Sequence, residues 1–332
     1  MLHGPIRMQV TVERWELARP FHISNFVFET IEPVVVSLEC DGSVGRGEAI
    51  GTYYTGDTGR VLADQIEARR GAIEASGSRQ TLRTLLPTGG ARSAVDCALW
   101  DLEARLSGRP AWETAGLAAP TPLLTTFTCG IDTPERMAQV ACGYATAKAV
   151  KLKLSGDPID AARVLAVRAA RPDVWLGVDA NQGHSPDSLR ELMPTLIEAQ
   201  VQLIEQPFPV GQEHLIDRVK SPIRIAADES ILALDDLLAL SRHFQAVNIK
   251  LDKCGGLTEA LEMARTARRL GLEVMVGNMM GTSLAMAPSA LVGQLCSIVD
   301  LDGPIFLKAD REPSVRYEDG RIQIPPGLWG GL

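Results

Sequence analysis

The rhythm of hydrophobic and polar positions along this chain changes near residue 120. Before that point it is mixed. Residues 9–16 alternate weakly, and the apolar run 33–40 ends in Asp41-Gly42, the two-residue signal of a tight hairpin. The return strand falls at 43–49. Helical spacing follows at 60–74 and 91–106, the second closed by Gly108 and Pro110. Residues 1–118 therefore read as an α+β capping domain.

From Pro122 onward the text becomes regular. Short apolar stretches end at Thr128, Lys153, Asp179, Glu205, Asp228, Lys250, Gly277 and Asp300, at spacings of 25, 26, 26, 23, 22, 27 and 23 residues. Helix-like segments lie between them, as at 160–170, 188–199, 235–243 and 258–270. Eight strand-and-helix units at this period are what an α/β fold of the (β/α)8 barrel type requires. A doubly wound sheet also uses such units, but eight in succession favour closure. The barrel is placed at 119–304. After Asp302 stand Pro304, Pro313, Pro325 and Pro326, with no clear last helix. The barrel is thus expected in a modified form, its tail 305–332 returning to complete the cap.

Composition narrows the function class. Of 332 residues, 45% are hydrophobic and 22% charged, enough to bury a large core and too apolar for disorder. A formal charge of −8 is a poor match for nucleic acid. No apolar run reaches the length of a membrane span, and the first residues lack a signal peptide's apolar stretch. The cysteines at 40, 97, 129, 142, 254 and 296 show no CxxC spacing and read as reduced thiols. A cytoplasmic protein acting on a small molecule is expected, without nucleic-acid or membrane partners; a homo-oligomer is compatible with the sequence.

The chemistry collects at strand ends, which converge on one mouth of a barrel. Asp179, Glu205 and Asp228 close neighbouring strands 3, 4 and 5. Three crowded carboxylates need a cation, and oxygen-only ligands suit one Mg²⁺ per subunit. Asn181, two residues past Asp179, is placed to brace the site. Glu229 should point to the other face and reads as structural. Lys151 and Lys153 share one side of strand 2 through its period of two, and their repulsion with burial should lower the pKa of the productive one. Lys250 closes strand 6, four strands from Lys153, so the two amines face each other across the mouth. That arrangement fits removal of an α-proton on one face and its return on the other, through a metal-stabilised enolate. Lys148 and Lys253 read as exposed charges. Asp300 and Asp302 end strand 8, opposite the metal, where paired acids suit a substrate ammonium.

These residues resemble the enolase superfamily in its muconate-lactonising subgroup. The marks are Lys151-Leu152-Lys153, Val178-Asp179-Ala180-Asn181, Ile204-Glu205-Gln206-Pro207, Ala227-Asp228-Glu229-Ser230 and Asn248-Ile249-Lys250 with Gly255-Gly256, and Ala98-Leu99-Trp100-Asp101-Leu102 in the cap. The resemblance implies Mg²⁺ on Asp179, Glu205 and Asp228, Lys153 and Lys250 as the acid/base pair, and Lys151 and Thr128 among the substrate-binding groups. Asp300 and Asp302 look like the DxD feature of dipeptide epimerases such as L-Ala-D/L-Glu epimerase, which would make the chain an isomerase inverting the C-terminal residue of L-Ala-Xaa dipeptides. One departure stands out. The first cap loop of Ala-Glu epimerases carries an arginine suited to a glutamate side chain; here 21–28 has no arginine or lysine and Asn25 takes its place. Phe26, Val27 and Phe28 then either favour an apolar second residue or simply pack the cap, unless Arg46 reaches in.

Rival readings are an N-acyl- or N-succinyl-amino-acid racemase, an o-succinylbenzoate synthase or a muconate-type cycloisomerase, none of which uses a paired acid for an ammonium. Mandelate-type enzymes use a histidine on strand 7, absent from 273–279. A non-catalytic barrel would have no reason to keep both lysines and all three acids.

Overall fold

The computed structural model describes residues 4–23 and 26–331. At its centre eight parallel strands follow one another in chain order. They are Thr126–Cys129, Ala149–Lys153, Trp175–Asp179, Leu203–Glu205, Arg224–Ala227, Ala246–Ile249, Glu273–Val276 and Ile298–Val299, here barrel strands 1 to 8. The expected (β/α)8-type barrel is present. Helices Asp160–Ala170, Pro186–Glu198 and Leu257–Arg269 fall where helical spacing placed them.

Alternation along each strand sorts the residues. On strand 4, Leu203 joins Ala226, Ala246 and Met275 in an apolar floor inside the ring. Ile204 points outward into the layer shared with the helices, where Leu152, Val178, Val247 and Leu257 also lie. Glu205 returns to the inside, above the floor. Register aligns the ends: Lys153 pairs with Asp179, and Asp179 with Glu205. Burial of the floor and outer layer thus drives the charged ends to one level.

The hydrogen-bonded order runs from strand 1 to strand 8, and the remaining seam is closed by side chains. Asp300 bonds the Thr126 hydroxyl, the Thr128 amide donates to Asp302 at 2.7 Å, and the Leu301 amide donates to Thr125 Oγ1 at 2.9 Å.

In the cap, Arg7–Val12, Val34–Cys40 and Ser43–Ala49 form an antiparallel sheet whose hairpin turns at Asp41 and Gly42. The sheet lies on the buried helix Gly90–Ser107. Gly47 makes that approach possible, since a Cβ there would stand 2.1 Å from the Ala94 carbonyl oxygen. Two expectations need correction. The helix expected at 60–74 is two, Gly59–Glu67 and Arg70–Ser76, because the backbone steps out at Arg69 (φ −115°, ψ 6°). Arg70 there reaches both Glu67 and the Met8 carbonyl. The stretch expected as a cap loop belongs to a second antiparallel pair, Trp15–Ile23 with Phe26–Ile31; Asn25 lies outside the described residues.

After strand 8 a single 3-10 turn, Gly303–Phe306, replaces a last helix. The tail is shared between both bodies. Arg321–Gln323 pairs with Leu123–Leu124 just before barrel strand 1, whereas the Leu307 bridge to Leu17 and the docking of Trp329 reach the cap. The Trp329 indole is fully buried and donates to the carbonyls of Arg46 and Cys97 at 2.9 and 3.1 Å. Trp329→Ala should lower stability by about 3–5 kcal/mol, through lost area and two unpaired carbonyls. A fall in the urea midpoint checks this.

Candidate active site

The barrel mouth, covered by the cap, holds a cavity that opens to solvent. Lys151, Lys153, Asp228, Lys250, Asp300, Asp302, Thr128 and Asn181 line it, as do Phe21, Ile23, Phe28, Tyr53 and Tyr54 from the cap. Below its surface Asp179, Glu205 and Asp228, all buried, bring one oxygen each within 4.8 Å of the others.

Each carboxylate is met by an amine. Lys153 Nζ lies 2.6 Å from Asp179 Oδ2, and Lys250 Nζ 2.6 Å from Asp228 Oδ2. Lys151 faces Glu205 at 3.3 Å and Asp179 at 3.7 Å, and its closest partner is Asp300. Burial alone would depress the Lys151 ammonium, yet Asp300, Glu205 and Asp179 together hold it well above its ordinary range. Carboxylates, not the second lysine, dominate the surroundings of Lys151. Lys250 is held up in the same way by Asp228 and Glu205. Glu205 is raised by burial and by the charge on Asp179. Burial opposes ionisation of Asp228, but Lys250 and Lys253 outweigh it and keep its carboxyl below the usual range.

Lys253 is the clearest residue that sequence reasoning misplaced. It is buried, and its ammonium donates to Asp228 Oδ1 and to the Asp228 carbonyl, both at 2.6 Å, and to the Asn248 carbonyl at 3.0 Å. The short helix Leu251–Cys254 turns straight back beneath the strand end and carries it inward. Glu229 also differs from expectation. Strand 5 stops at Ala227, so alternation no longer governs residue 229, and its carboxylate lines the cavity. Asn181 Nδ2 reaches Glu229 Oε1 at 3.4 Å while the Asn181 amide donates to Asp179 Oδ1 at 3.0 Å. Asn248 shares the parity of Lys250, a signal that could have found it; its amide donates to Glu205 Oε1 at 2.7 Å. Gln206 accepts from the Asp228 and Ser230 amides and so fixes the turn after strand 5.

The acidic pair is not equivalent. Asp300 is matched by Lys151, which keeps it below the ordinary range against burial. Asp302 holds no ammonium; it accepts from the Thr128 amide and, at 3.4 Å, from Asn278. Burial and the charge of Asp300 push its pKa up to about 6. In the cap, Phe28 and Tyr53 pack edge to face at 5.7 Å and reach the cavity. Phe26 and Val27 are exposed and do not line it. Arg46 donates to the Leu328 carbonyl instead of reaching in. Among the described residues, no arginine or histidine lines the cavity.

With this geometry in place, comparison with known proteins defines the class. Residues 135–328 match the model of the enolase C-terminal domain-like family, and residues 5–116 that of the mandelate racemase/muconate lactonizing enzyme N-terminal domain. The chain belongs to this enolase-type family. An L-Ala-D/L-Glu epimerase of Escherichia coli (strain K12) is 36% identical, covering 96% of this chain and 99% of its own. An N-acetyl-D-glutamate racemase of Pseudoalteromonas sp is 41% identical over 74% of this chain and 78% of its own. An enolase family member from Agrobacterium tumefaciens with homology to dipeptide epimerases, solved with sodium and L-Ala-L-Glu, superposes with a TM-score of 0.95. It shares 40% identity and covers 98% of this chain and 100% of its own. No helix of the described residues is long and apolar enough to cross a membrane.

Lys151 balances the carboxylates from within. Lys151→Met should therefore destabilise the metal-free protein by about 3–5 kcal/mol, by leaving buried charge unpaired. Urea denaturation in chelator reads the loss, and added Mg²⁺ should recover more stability in the variant than in the parent.

Proposed function

We propose that this chain is a Mg²⁺-dependent dipeptide epimerase that inverts the α-carbon of the C-terminal residue of L-Ala-Xaa dipeptides. The observation that carries this reading is the placement of Lys153 at the end of strand 2 and Lys250 just past strand 6 in one cavity, with three buried carboxylates beside them. The ligand set fits a hard divalent ion. All donors are oxygen, and Asn181 Oδ1 and Glu229 Oε2 stand buried without a partner beside them. When bound there, Mg²⁺ supplies Lewis-acid stabilisation of the negative charge that develops on the substrate carboxylate.

The chain's own residues supply the rest. A cation held by Asp179, Glu205 and Asp228 would take over the charge now met by these amines; Lys153 and Lys250 stand on opposite sides of the cavity, where one can remove the α-proton and the other deliver a proton to the opposite face. Lys151 stays between Glu205 and Asp300 and offers its ammonium to the substrate carboxylate. Thr128 and Asp302, across the mouth, receive the amino end. The second side chain then meets Phe21, Ile23, Phe28 and Tyr53, a wall that suits apolar or aromatic residues at least as well as glutamate.

A second reading has its own support. Asp300 is already neutralised by Lys151, leaving Asp302 alone to hold an ammonium, and an N-acetyl-D-glutamate racemase is among the relatives. Racemisation of N-acyl amino acids would use the same lysines. The test is a library of L-Ala-L-Xaa dipeptides and N-acyl amino acids in D₂O with Mg²⁺, read by mass for α-deuterium. We expect free dipeptides to exchange and epimerise, and exchange to stop on chelation. Lys153→Ala and Lys250→Ala should each exchange only one stereoisomer and epimerise neither. Turnover confined to N-acyl substrates would replace the first reading with the second, and full turnover in chelator would defeat the metal.

The pH profile separates the two readings again. Asp302 must be ionised to hold an ammonium, and its pKa is raised to about 6. Protonation below that value removes the charge, so kcat/KM for a free dipeptide should fall as pH drops through about 6. Asp302→Asn should lower kcat/KM by about 100-fold and abolish that limb, whereas an N-acyl substrate should show neither effect.

A further inference from the structure

We infer that Arg311, in the C-terminal tail, is a positioning residue that sets the cavity wall formed by Met279 and Met280, and thereby the room for the substrate's amino-terminal residue. The inference rests on the dipeptide reading for its substrate and on geometry for its mechanism. The loop after strand 7 is tied at both ends. At its start, Asn278 Nδ2 donates to the Asp300 carbonyl at 2.7 Å and to Asp302 Oδ1 at 3.4 Å, while Asn278 Oδ1 accepts from the Met280 amide at 2.7 Å. Met280 sits at φ 65°, a left-handed conformation that a non-glycine residue keeps only when its surroundings impose it.

The other end is held from outside the barrel. The Thr282 amide donates to Glu48 Oε1 at 2.7 Å, and its hydroxyl also bonds Glu48. Arg311 Nε reaches Thr282 Oγ1 at 2.7 Å and Glu48 Oε2 at 3.0 Å; its Nη2 reaches Glu48 at 2.8 Å and Glu13 at 2.6 Å. Next door, Asp310 accepts from the Ser283 amide at 3.0 Å. Cap, barrel and tail thus meet on one guanidinium. The Glu48 side chain is fully buried, so without Arg311 its charge would face only the two Thr282 donors. Gly281 lies against it, with 3.2 Å from an added Cβ to Glu48 Oε1. Displacement of Glu48 would therefore be transmitted to Met280 through Gly281 and Thr282, and to Asp302 through Asn278.

The test compares Arg311→Met with Lys308→Ala, which removes an exposed tail-to-cap pair with Glu16 at 3.0 Å. Hydrogen exchange of the peptide spanning 278–282 is read first, because it needs no substrate. Arg311→Met should speed exchange at Met280 and Thr282 by about tenfold, and Lys308→Ala should leave it unchanged. On L-Ala-L-Xaa, Arg311→Met should raise KM about tenfold with kcat within about twofold, and Arg311→Lys should recover most of the loss. If Arg311→Met does not fold, Thr282→Val removes the hydroxyl's bonds to Glu48 and Arg311, weakening the same link at the loop, and carries both readouts. Parent-like exchange and KM in a folded variant would overturn the inference, as would equal effects from Lys308→Ala. A parent enzyme without dipeptide turnover would sink the functional reading alone, since exchange still decides the clamp.

Discussion

Three carboxylates buried within 4.8 Å of one another, Asp179, Glu205 and Asp228, are the constraint to which the rest of the molecule answers. Such a cluster is unstable unless positive charge surrounds it. Four lysines do so here, and their arrangement is ordered. Lys151 and Lys253 are bound from several sides and act as fixed counter-charges. Lys153 and Lys250 each hold one carboxylate and open onto the cavity. The same electrostatics that stabilises the cluster thus divides the lysines into a pair held from several sides and a pair that each meet one carboxylate at the cavity edge.

Barrel geometry makes the cluster possible. Adjacent parallel strands set Lys153, Asp179 and Glu205 level, and the apolar floor beneath them excludes water. Closing the ring then creates a competing demand. Across the seam between strands 8 and 1, Asp300 and Asp302 bond Thr126 and the Thr128 amide. The two acids read from sequence as a ligand pair therefore also close the barrel. Asp300 is satisfied by Lys151 and Thr126, which leaves Asp302 as the member of the pair without a cation.

Much of this was legible because it follows from period and spacing. Strand ends recurring every 22 to 27 residues announced the ring, and the period of two put Lys151 and Lys153 on one side. What stayed hidden depends on where regularity stops. Glu229 was misassigned because strand 5 ends two residues before it. Lys253 was misassigned because a four-residue helix folds it beneath the strand that precedes it. The pairing of Trp15–Ile23 with Phe26–Ile31 was missed because strand alternation there is weak, with most side chains exposed. Arg311 has no local signal at all, since Glu13, Glu48 and Thr282 come together only through the tertiary fold.

That last case bears on how such a barrel divides its labour. The lysines and carboxylates at the centre stand on strands or directly at their ends, fixed by ladder bonds and two packed layers. The outer walls of the cavity come from the aromatic pair of cap strands, Tyr53 and Tyr54, and the loop carrying Met279 and Met280. None of these is fixed by a ladder within the barrel. The loop carrying Met279 and Met280 is instead tied through Asn278, Glu48 and the tail, contacts that can change without disturbing the carboxylate cluster. A change of substrate would therefore require substitutions at the edges of the cavity, whereas a change of reaction would have to disturb the charge balance at its centre.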